Sequence, residues 1–203
     1  MKINSIKAKT KKKYKITTDS NHGLSVAENL LMQNFEVSEV NKIWVSDITY
    51  IGTMEGWLYL AVIMDLCSRR IVGWSMSENI NQDLILSALQ KALITRKPDN
   101  GLIFHSDRGR QYASEKVKQL LHKHRAVQSM SRKGNPYDNA VIESFFHTLK
   151  TELVNFENYK TRAEARQSIF EYIEIYYNKQ RRHSTLDYYS PVEFESRKII
   201  LVA

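Results

Sequence analysis

Cysteine is nearly missing from this chain of 203 residues, and long apolar runs are missing altogether. The single cysteine, Cys67, excludes an internal disulfide framework and any zinc site built from several cysteines. No apolar run is much longer than the seven residues 58–64, far fewer than the roughly 20 that span a bilayer. Lysines near the start precede no hydrophobic segment, which argues against a secretory signal. These absences predict a protein of a reducing compartment with no membrane partner.

Acidic residues are also missing from two stretches. Residues 2–15 contain seven lysines, and residues 116–137 contain six Lys or Arg and two His, in both cases without an acid. The whole chain carries a formal net charge of +8 and has an isoelectric point near 9.4. Charge runs are often only solvated tails, but such an excess also suits a polyanion such as nucleic acid. Charge alone leaves the two interpretations about even.

Three acidic residues stand out because of their surroundings. Asp47 lies in WVSDITY, Asp107 in FHSDRG and Glu143 in DNAVIESFF, segments that are otherwise apolar or strongly patterned. A carboxylate is costly to bury there unless a cation or a metal pairs with it. Carboxylates from two strands and one helix can converge on hard divalent cations, which prefer oxygen ligands. The trio therefore predicts a two-Mg²⁺ site for phosphoryl transfer.

Each acid taken alone has a plainer interpretation. An Asp at a strand end is more often a turn cap or a salt-bridge partner than a ligand, by about four to one. Asp65 is interpreted in that way, as a structural residue or a support for Asp47. His105 and Ser106 do not suggest a base and its nucleophile, because adjacent strand residues point to opposite faces.

Length and composition allow one well-buried domain with extensions. A hydrophobic content of 42% suffices for a core of about 110–150 residues. Residues 1–40 are basic and weakly patterned, so we expect an N-terminal extension that becomes ordered only near residue 26. A catalytic core over residues 41–155 and a C-terminal helix and tail over residues 156–203 complete the prediction.

The pattern of apolar residues predicts an α/β fold, a mixed five-stranded sheet flanked by helices. A five-residue hairpin loop is expected at 52–56, and Asp138 is expected to cap the helix that carries Glu143. The predicted strands cover 43–51, 57–66, 70–77, 102–104 and 126–130, and the predicted helices cover 84–93, 114–123, 138–152 and 162–177.

The helix that carries Glu143 also places a cation near the trio. Glu143 and Lys150 share one stripe of this helix and lie two turns apart. Lys150 would then face the substrate, where a lysine can hold a DNA phosphate. Phe145 and Phe146 are interpreted as core residues rather than as a stacking platform.

These segments resemble the catalytic subunit of bacterial insertion-sequence transposases of the DDE type, which have a retroviral-integrase-like core. Thirty-five residues separate Asp107 from Glu143, the spacing typical of the family. The resemblance covers roughly residues 12–195. Its matches, in order, are WVSDITY at 44–50, HSDRGRQY at 105–112, SMSRKGNPYDNA at 129–140, ESFFHTLK at 143–150, and YNKQRRHSTL at 177–186 followed by Ser190 and Pro191.

The resemblance implies a ribonuclease H-like fold and an enzyme that uses two Mg²⁺ or Mn²⁺ ions to cut element ends and join them to target DNA. By position, Asp47, Asp107 and Glu143 become the catalytic residues and the metal ligands. For two of the DNA-binding candidates, Arg182 and His183, packing of the last helix and its loop onto the core is an equally weighted alternative. The candidate DNA-binding residues are Lys133, Asn139, Lys150, Arg182 and His183.

The resemblance also implies partners: DNA as element ends and target, further copies of the chain on DNA, and a helix-turn-helix protein from an upstream reading frame. A bacterial, cytoplasmic, nucleoid-associated location follows. One position departs from the family pattern, since Asp187 stands where a glycine usually precedes Tyr188, in a turn that Asp tolerates. Two alternatives stay open: an amino-terminally shortened, non-catalytic DNA-binding regulator of transposition, and a ribonuclease H-like nuclease without a joining step.

Overall fold

Five strands form one mixed sheet: β1 (Ile43–Thr53), β2 (Gly56–Asp65), β3 (Ile71–Ser77), β4 (Ile103–Ser106) and β5 (Val127–Met130). Their order in the sheet is β3-β2-β1-β4-β5. The computed structural model describes residues 23–202, so predictions for the basic stretch 2–15 lie outside the described residues. Short turns join the first three strands, which pair antiparallel, whereas β4 and β5 follow helices and pair parallel to their neighbours. The predicted mixed five-stranded sheet is confirmed.

The hairpin between β1 and β2 is tighter than predicted. Gly52 pairs with Trp57 and Thr53 pairs with Gly56, so only two residues form the loop. The five-residue loop predicted at 52–56 is wrong because the ladder continues through both ends of that segment. Gly56 has a φ of 113°, which glycine adopts without the penalty that a Cβ atom imposes.

Helices cover both faces of the sheet. One face is covered by α1 (Gln82–Arg96) and α2 (Glu115–Lys123), and the other by α3 (Ala140–Glu152) and α4 (Arg162–Glu171). Because β2 lies under both layers, its residues 60–64 are buried without a break, which explains their continuous apolar sequence. The carboxyl end of β4 therefore lies between two helical layers.

Two predicted helix boundaries differ from the structure. The helix predicted over 162–177 is α-helical to Glu171 and continues as a π-helix over Tyr172–Tyr177. The predicted capping role of Asp138 is wrong: α3 follows a 3-10 turn, and the Asp138 carboxylate accepts hydrogen bonds from Arg132 instead. The Arg132 guanidinium binds both oxygens of this carboxylate, through Nε at 3.1 Å and Nη2 at 2.8 Å, and such two-point contacts are among the strong hydrogen bonds of proteins.

The segment before β1 packs against the core. Leu31 is 2% exposed and belongs to the apolar cluster under α3. The Leu30 N–H donates to Ser129 Oγ at 2.9 Å, and the Met130 N–H donates to the Glu28 carbonyl at 3.2 Å. Residues 28–31 therefore run beside β5, and the domain boundary at residue 40 stays a prediction.

The C-terminal helix α5 (Pro191–Val202) is joined to the sheet by a buried carboxylate. Glu195 is 5% exposed and accepts hydrogen bonds from Arg70 at 2.6 Å, from Arg96 at 2.8 Å and from Ser68 at 2.8 Å. These contacts attach α5 to the turn after β2 and to the end of α1. Within residues 23–202, no helix is both long and apolar enough to cross a membrane.

Candidate active site

Strand pairing brings two aspartates to one point of the sheet. β1 and β4 run parallel, and the last residues that they pair are Ser46 and Ser106. Asp47 follows Ser46 along β1, and Asp107 follows Ser106 at the end of β4. The two aspartates therefore emerge side by side at the carboxyl end of β4. Open α/β sheets commonly hold their ligands at such an end. The register therefore accounts for the first two acids of the predicted site.

The carboxyl group of Asp47 is strongly perturbed. Burial raises its pKa well above the ordinary value, and the charges of Asp107 and Glu143 raise it further. A hydrogen bond of 2.7 Å from the Ile48 N–H to Asp47 Oδ1 and the charge of Lys150 act in the opposite direction. Because the two carboxylates outweigh these partners, the site favours additional positive charge.

A tight turn holds the carboxylate of Asp107. The Gly109 N–H donates to Asp107 Oδ1 at 2.9 Å. A Cβ atom on Gly109 would lie 2.9 Å from this oxygen and 2.9 Å from Gln111 Oε1, closer than carbon normally approaches either. Glycine at this position therefore lets the turn close around the carboxylate.

Glu143 reaches the aspartates from the first turn of α3. Ile142, Phe145, Phe146 and Leu149 are buried and pack this helix on the sheet, which confirms the predicted core role of the two phenylalanines. Reduced hydration, followed by the charge of Asp107, raises the pKa of the Glu143 carboxyl. The structure thus brings together the two strand acids and the helix acid that sequence analysis selected.

The three acids have the donor chemistry of a site for a hard divalent cation. Asp107 raises the pKa of both Asp47 and Glu143, and a bound cation relieves such repulsion. Carboxylate oxygens are the donors that Mg²⁺ prefers. Within the described residues, no three His, Cys, Asp or Glu side chains form a ready-made cage around one ion. The fit therefore rests on charge and on donor type.

Lys150 borders the same group of charges. Its ammonium group lies 4.6 Å from the centre of the Tyr50 ring. Burial lowers the pKa of Lys150, and the charge of Asp47 partly compensates. The lysine therefore lies on the side of α3 that faces Asp47, as the shared stripe with Glu143 predicts.

Two buried polar residues fix β1 beside Asp47. Tyr112 is 1% exposed, and its hydroxyl lies 2.9 Å from Ser46 Oγ. Burial, then the charges of Asp47 and Asp107, raise the Tyr112 pKa, so the hydroxyl stays neutral. Asn139 is 5% exposed; its Nδ2 donates to the Ser46 carbonyl at 3.4 Å, and its Oδ1 is buried without a hydrogen-bond partner. Tyr112 closes the segment HSDRGRQY, but its pattern alone predicted no role for it.

Asp65 has a structural role. Its Oδ1 accepts hydrogen bonds from the backbone of Cys67 at 3.1 Å and of Ser68 at 2.9 Å, and its Oδ2 accepts from the Asn41 N–H at 2.6 Å. These bonds close the turn after β2. Asp65 is therefore a turn residue, as its strand-end position suggests.

His105 and Ser106 do not pair with each other. The His105 ring lies between Ser129 Oγ at 2.8 Å and Ser131 Oγ at 3.2 Å, and Ser106 Oγ donates to the Asp107 carbonyl at 2.9 Å. Burial lowers the His105 pKa to about 4. The arrangement is that of a buried structural histidine.

The remaining predicted DNA-binding residues lie outside this group of charges. Lys133 is exposed in the loop before α3, and Arg182 is exposed just before the 3-10 turn Ser184–Leu186. The His183 ring packs edge-on against Tyr177, with ring centres 4.9 Å apart, and its backbone pairs with Tyr189. The packing alternative is therefore observed for His183, and the DNA contacts of these residues stay predictions.

The departure at Asp187 is tolerated as expected. Asp187 has a φ of 51° and Tyr188 a φ of 60°, both in the left-handed region. Asp is among the residues that adopt this region most readily after glycine. The turn therefore forms with Asp at position 187.

Comparison with known proteins identifies the family. Residues 37–136 and residues 143–199 each match a family described as Integrase core domain. The transposase for insertion sequence element IS904 of Lactococcus lactis subsp. lactis (strain IL1403) is 50% identical over 184 residues, 90% of this chain and 73% of that protein. The chain belongs to the insertion-sequence transposases with an integrase core domain. A second such transposase, InsF for insertion sequence IS3A of Escherichia coli (strain K12), is 46% identical over 194 residues, 96% of this chain and 67% of that protein.

Solved structures of retroviral integrases share the fold of this transposase. The catalytic core domain of BIV integrase has a TM-score of 0.57 at 19% identity, covering 80% of this chain and 99% of that chain. The HTLV-2 integrase catalytic core domain has a TM-score of 0.56 at 14% identity, covering 76% and 95%. The ribonuclease H-like fold is confirmed. Family membership likewise confirms an enzyme of the DDE polynucleotidyl transferase type that acts in DNA transposition.

Proposed function

We propose that this transposase cuts and joins DNA strands at a site formed by Asp47, Asp107 and Glu143. The observation that carries the proposal is their mutual repulsion, since Asp107 raises the pKa of both other carboxyls. Three carboxylates held together in a partly buried cleft are unfavourable unless a cation neutralises them. We therefore assign all three as metal ligands and catalytic residues.

The oxygen donors suit Mg²⁺ or Mn²⁺, and we propose two ions. The HTLV-2 integrase core, which shares the fold, is described in complex with magnesium. When bound, the ions would activate the attacking oxygen and stabilise the leaving oxygen of the transferred phosphoryl group. The chain itself needs to form no covalent intermediate.

The protein's part is to hold the carboxylates in place before DNA arrives. The N–H groups of Ile48 and Gly109 each bind one carboxylate oxygen, at 2.7 and 2.9 Å. Tyr112 and Asn139 tie β1 to its neighbours beside Asp47. Because the Tyr112 hydroxyl stays neutral, it adds no fourth negative charge under the site. Ligands fixed in this way lose little freedom when substrate binds.

Side chains both beside the acids and farther from them would hold the DNA backbone. Lys150 is the strongest candidate, because its ammonium group lies on the Asp47 side of α3. The net charge of +8 supports a polyanionic substrate, and such binding weakens as salt displaces the phosphate contacts. The proposed contacts are Lys133, Asn139, Lys150, Arg182 and His183.

We further propose that the chain works as a homo-oligomer on paired DNA ends in the bacterial cytoplasm, associated with the nucleoid. A helix-turn-helix protein from an upstream reading frame would contribute recognition of the element ends. The relatives at 46–50% identity are transposases of insertion sequences, which supports DNA ends and target DNA as the substrates.

A strand-joining assay tests this function. The full chain is incubated with a labelled duplex that carries the terminal repeats flanking its gene, an unlabelled target plasmid, and Mg²⁺, Mn²⁺ or EDTA. We expect labelled DNA joined to plasmid only with metal, lost in Glu143→Gln and retained in Glu157→Gln, an exposed glutamate on the loop after α3. Cleavage without joining would indicate a nuclease, and binding without either reaction would indicate a non-catalytic regulator.

A further inference from the structure

Asp138, five residues before Glu143, has a fully occupied carboxylate. It is 0% exposed. Oδ2 accepts from Asn29 Nδ2 at 2.8 Å and from the Arg132 N–H and Nε at 2.7 and 3.1 Å; Oδ1 accepts from Gln33 Nε2 at 2.9 Å and Arg132 Nη2 at 2.8 Å. These donors, Arg132 above all, hold the Asp138 pKa well below its usual range. A carboxylate with this many hydrogen bonds, several of them from a guanidinium group, is held firmly in one position.

Two of these donors belong to a segment that is distant in sequence. Asn29 and Gln33 lie in Glu28–Gln33, here called the strap. The strap has a second attachment, because the Leu30 N–H donates to Ser129 Oγ at 2.9 Å. Ser129 in turn contacts the buried His105 ring at 2.8 Å. The strap is therefore hydrogen-bonded both to the sheet, through β5, and to Asp138.

Asp138 lies in the 3-10 turn Pro136–Asn139 that leads into α3. The N-cap of α3, Asn139, makes no side-chain hydrogen bond to the first turn of the helix. Its amide instead reaches the Ser46 carbonyl at 3.4 Å. The first turn of α3, which carries Glu143, is thus positioned through the residues that precede it rather than by its own cap.

We infer that the strap is a positioning element of the active site, which acts on Glu143 through Asp138. The inference rests on the proposed role of Glu143 as a metal ligand. The strap precedes residue 37, where the match to the integrase core begins, so that match assigns it no role. Removing a residue that orients a metal ligand commonly weakens metal binding by roughly 10–100-fold. We expect an effect of this order when the strap contacts to Asp138 are removed.

Hydrogen exchange on the full chain tests the positioning directly. The strap variant Asn29→Ala/Gln33→Ala leaves Asp138 paired with Arg132, so it introduces no unpaired buried charge. We expect peptides from residues 140–145 to exchange about tenfold faster, with α1 unchanged, because only the first turn of α3 loosens. The matched control is Asn155→Ala/Asn158→Ala, two exposed asparagines beyond α3, which should leave both regions unchanged.

Mn²⁺ binding, followed by the electron paramagnetic resonance of the free ion, is the second measurement. The strap variant should weaken Mn²⁺ binding about tenfold, and Glu143→Gln should weaken it as well. Unchanged exchange at 140–145 would overturn the inference. Faster exchange throughout the sheet and α1 would also overturn it, because the strap would then contribute only global stability. If Glu143→Gln alone leaves Mn²⁺ binding intact, the ligand assignment fails while the exchange result still decides the strap.

Discussion

The side-chain amide of Asn178 binds both backbone groups of Ile71, as the backbone of a neighbouring strand does in a sheet. Its Oδ1 accepts from the Ile71 N–H at 2.9 Å, and its Nδ2 donates to the Ile71 carbonyl at 3.0 Å. Ile71 begins β3, the edge strand of the sheet, and an open edge leaves such groups without partners. Asn178 is 3% exposed and belongs to the segment YNKQRRHSTL. This segment therefore supplies hydrogen-bond partners to the first residue of the edge strand.

Replacing Asn178 should destabilise the fold. Asn178→Ala leaves the N–H and carbonyl of Ile71 unsatisfied, and each buried orphan group costs about 1–3 kcal/mol, so we expect a loss of about 2–4 kcal/mol. Urea unfolding measures the loss, with the exposed Asn158→Ala as the control. A loss within about 0.5 kcal/mol, typical of surface changes, would show that water replaces the amide at no cost.

The buried ion cluster at Glu195 should contribute to the free energy of unfolding by an amount similar to that of Asn178. Glu195→Gln removes the charge that pairs with Arg70 and Arg96, and breaking a buried pair from one side costs about 3–5 kcal/mol. The same unfolding measurement applies, and the exposed Glu157→Gln serves as the isosteric control. Equal stability of the two variants would mean that the guanidinium groups find other partners.

The free energy of unfolding of this chain should decrease at acidic pH, because His183 is protonated more readily in the unfolded chain. Burial, then the charge of Arg181, lower the His183 pKa from 6.5 to about 4; Glu152 opposes this shift and Arg69 adds to it. Between pH 6.5 and 4 the unfolded chain binds a proton that the folded chain excludes, so the free energy of unfolding decreases as pH falls through this window. Because His183 is partly solvated, we expect a contribution of about 1–2 kcal/mol.

His183→Gln should reduce that pH dependence. Unfolding curves at pH 7 and pH 4.5 compare the variant with the wild type and with His122→Gln, an exposed histidine on α2. If both variants keep the wild-type difference between the two pH values, His183 is not the group that responds.

Lys150 should account for one phosphate contact. Lys150→Gln is expected to weaken DNA binding and to reduce the slope of log affinity against log salt by about one. Fluorescence anisotropy on a labelled duplex at several salt concentrations measures both quantities. Lys160→Gln, an exposed lysine before α4, should leave the slope unchanged; a wild-type slope in Lys150→Gln would contradict the contact.

Local pattern predicted the sheet, which is confirmed, and singled out the three acids of the proposed site. Asp47 interrupts an apolar strand, Asp107 directly follows a short strand, and Glu143 interrupts an amphipathic helix, so each carries a signal in its own segment. Their convergence follows from the parallel pairing of Ser46 with Ser106. Pattern failed at the hairpin, because a ladder that continues through Gly52 leaves no mark in the composition of the loop.

The strap could not be predicted because its contacts join distant segments. Asn29 and Asp138 are 109 residues apart in the chain, and no periodicity connects them. Asp138 precedes a helix, as capping residues do, so its sequence position alone favoured the wrong role. The pairing with Arg132 and the strap becomes visible only in the folded chain.

Nicking of supercoiled plasmid at low salt, with Mn²⁺, Mg²⁺ or EDTA, tests the metal-dependent triad most directly. The wild type is compared with Asp107→Asn and with Asp83→Asn, the same change at an exposed position in the first turn of α1. We expect metal-dependent nicking by the wild type and Asp83→Asn, and a loss of about a thousandfold or more in Asp107→Asn with DNA binding retained. Nicking by Asp107→Asn at the wild-type rate, or nicking in EDTA, would contradict this expectation.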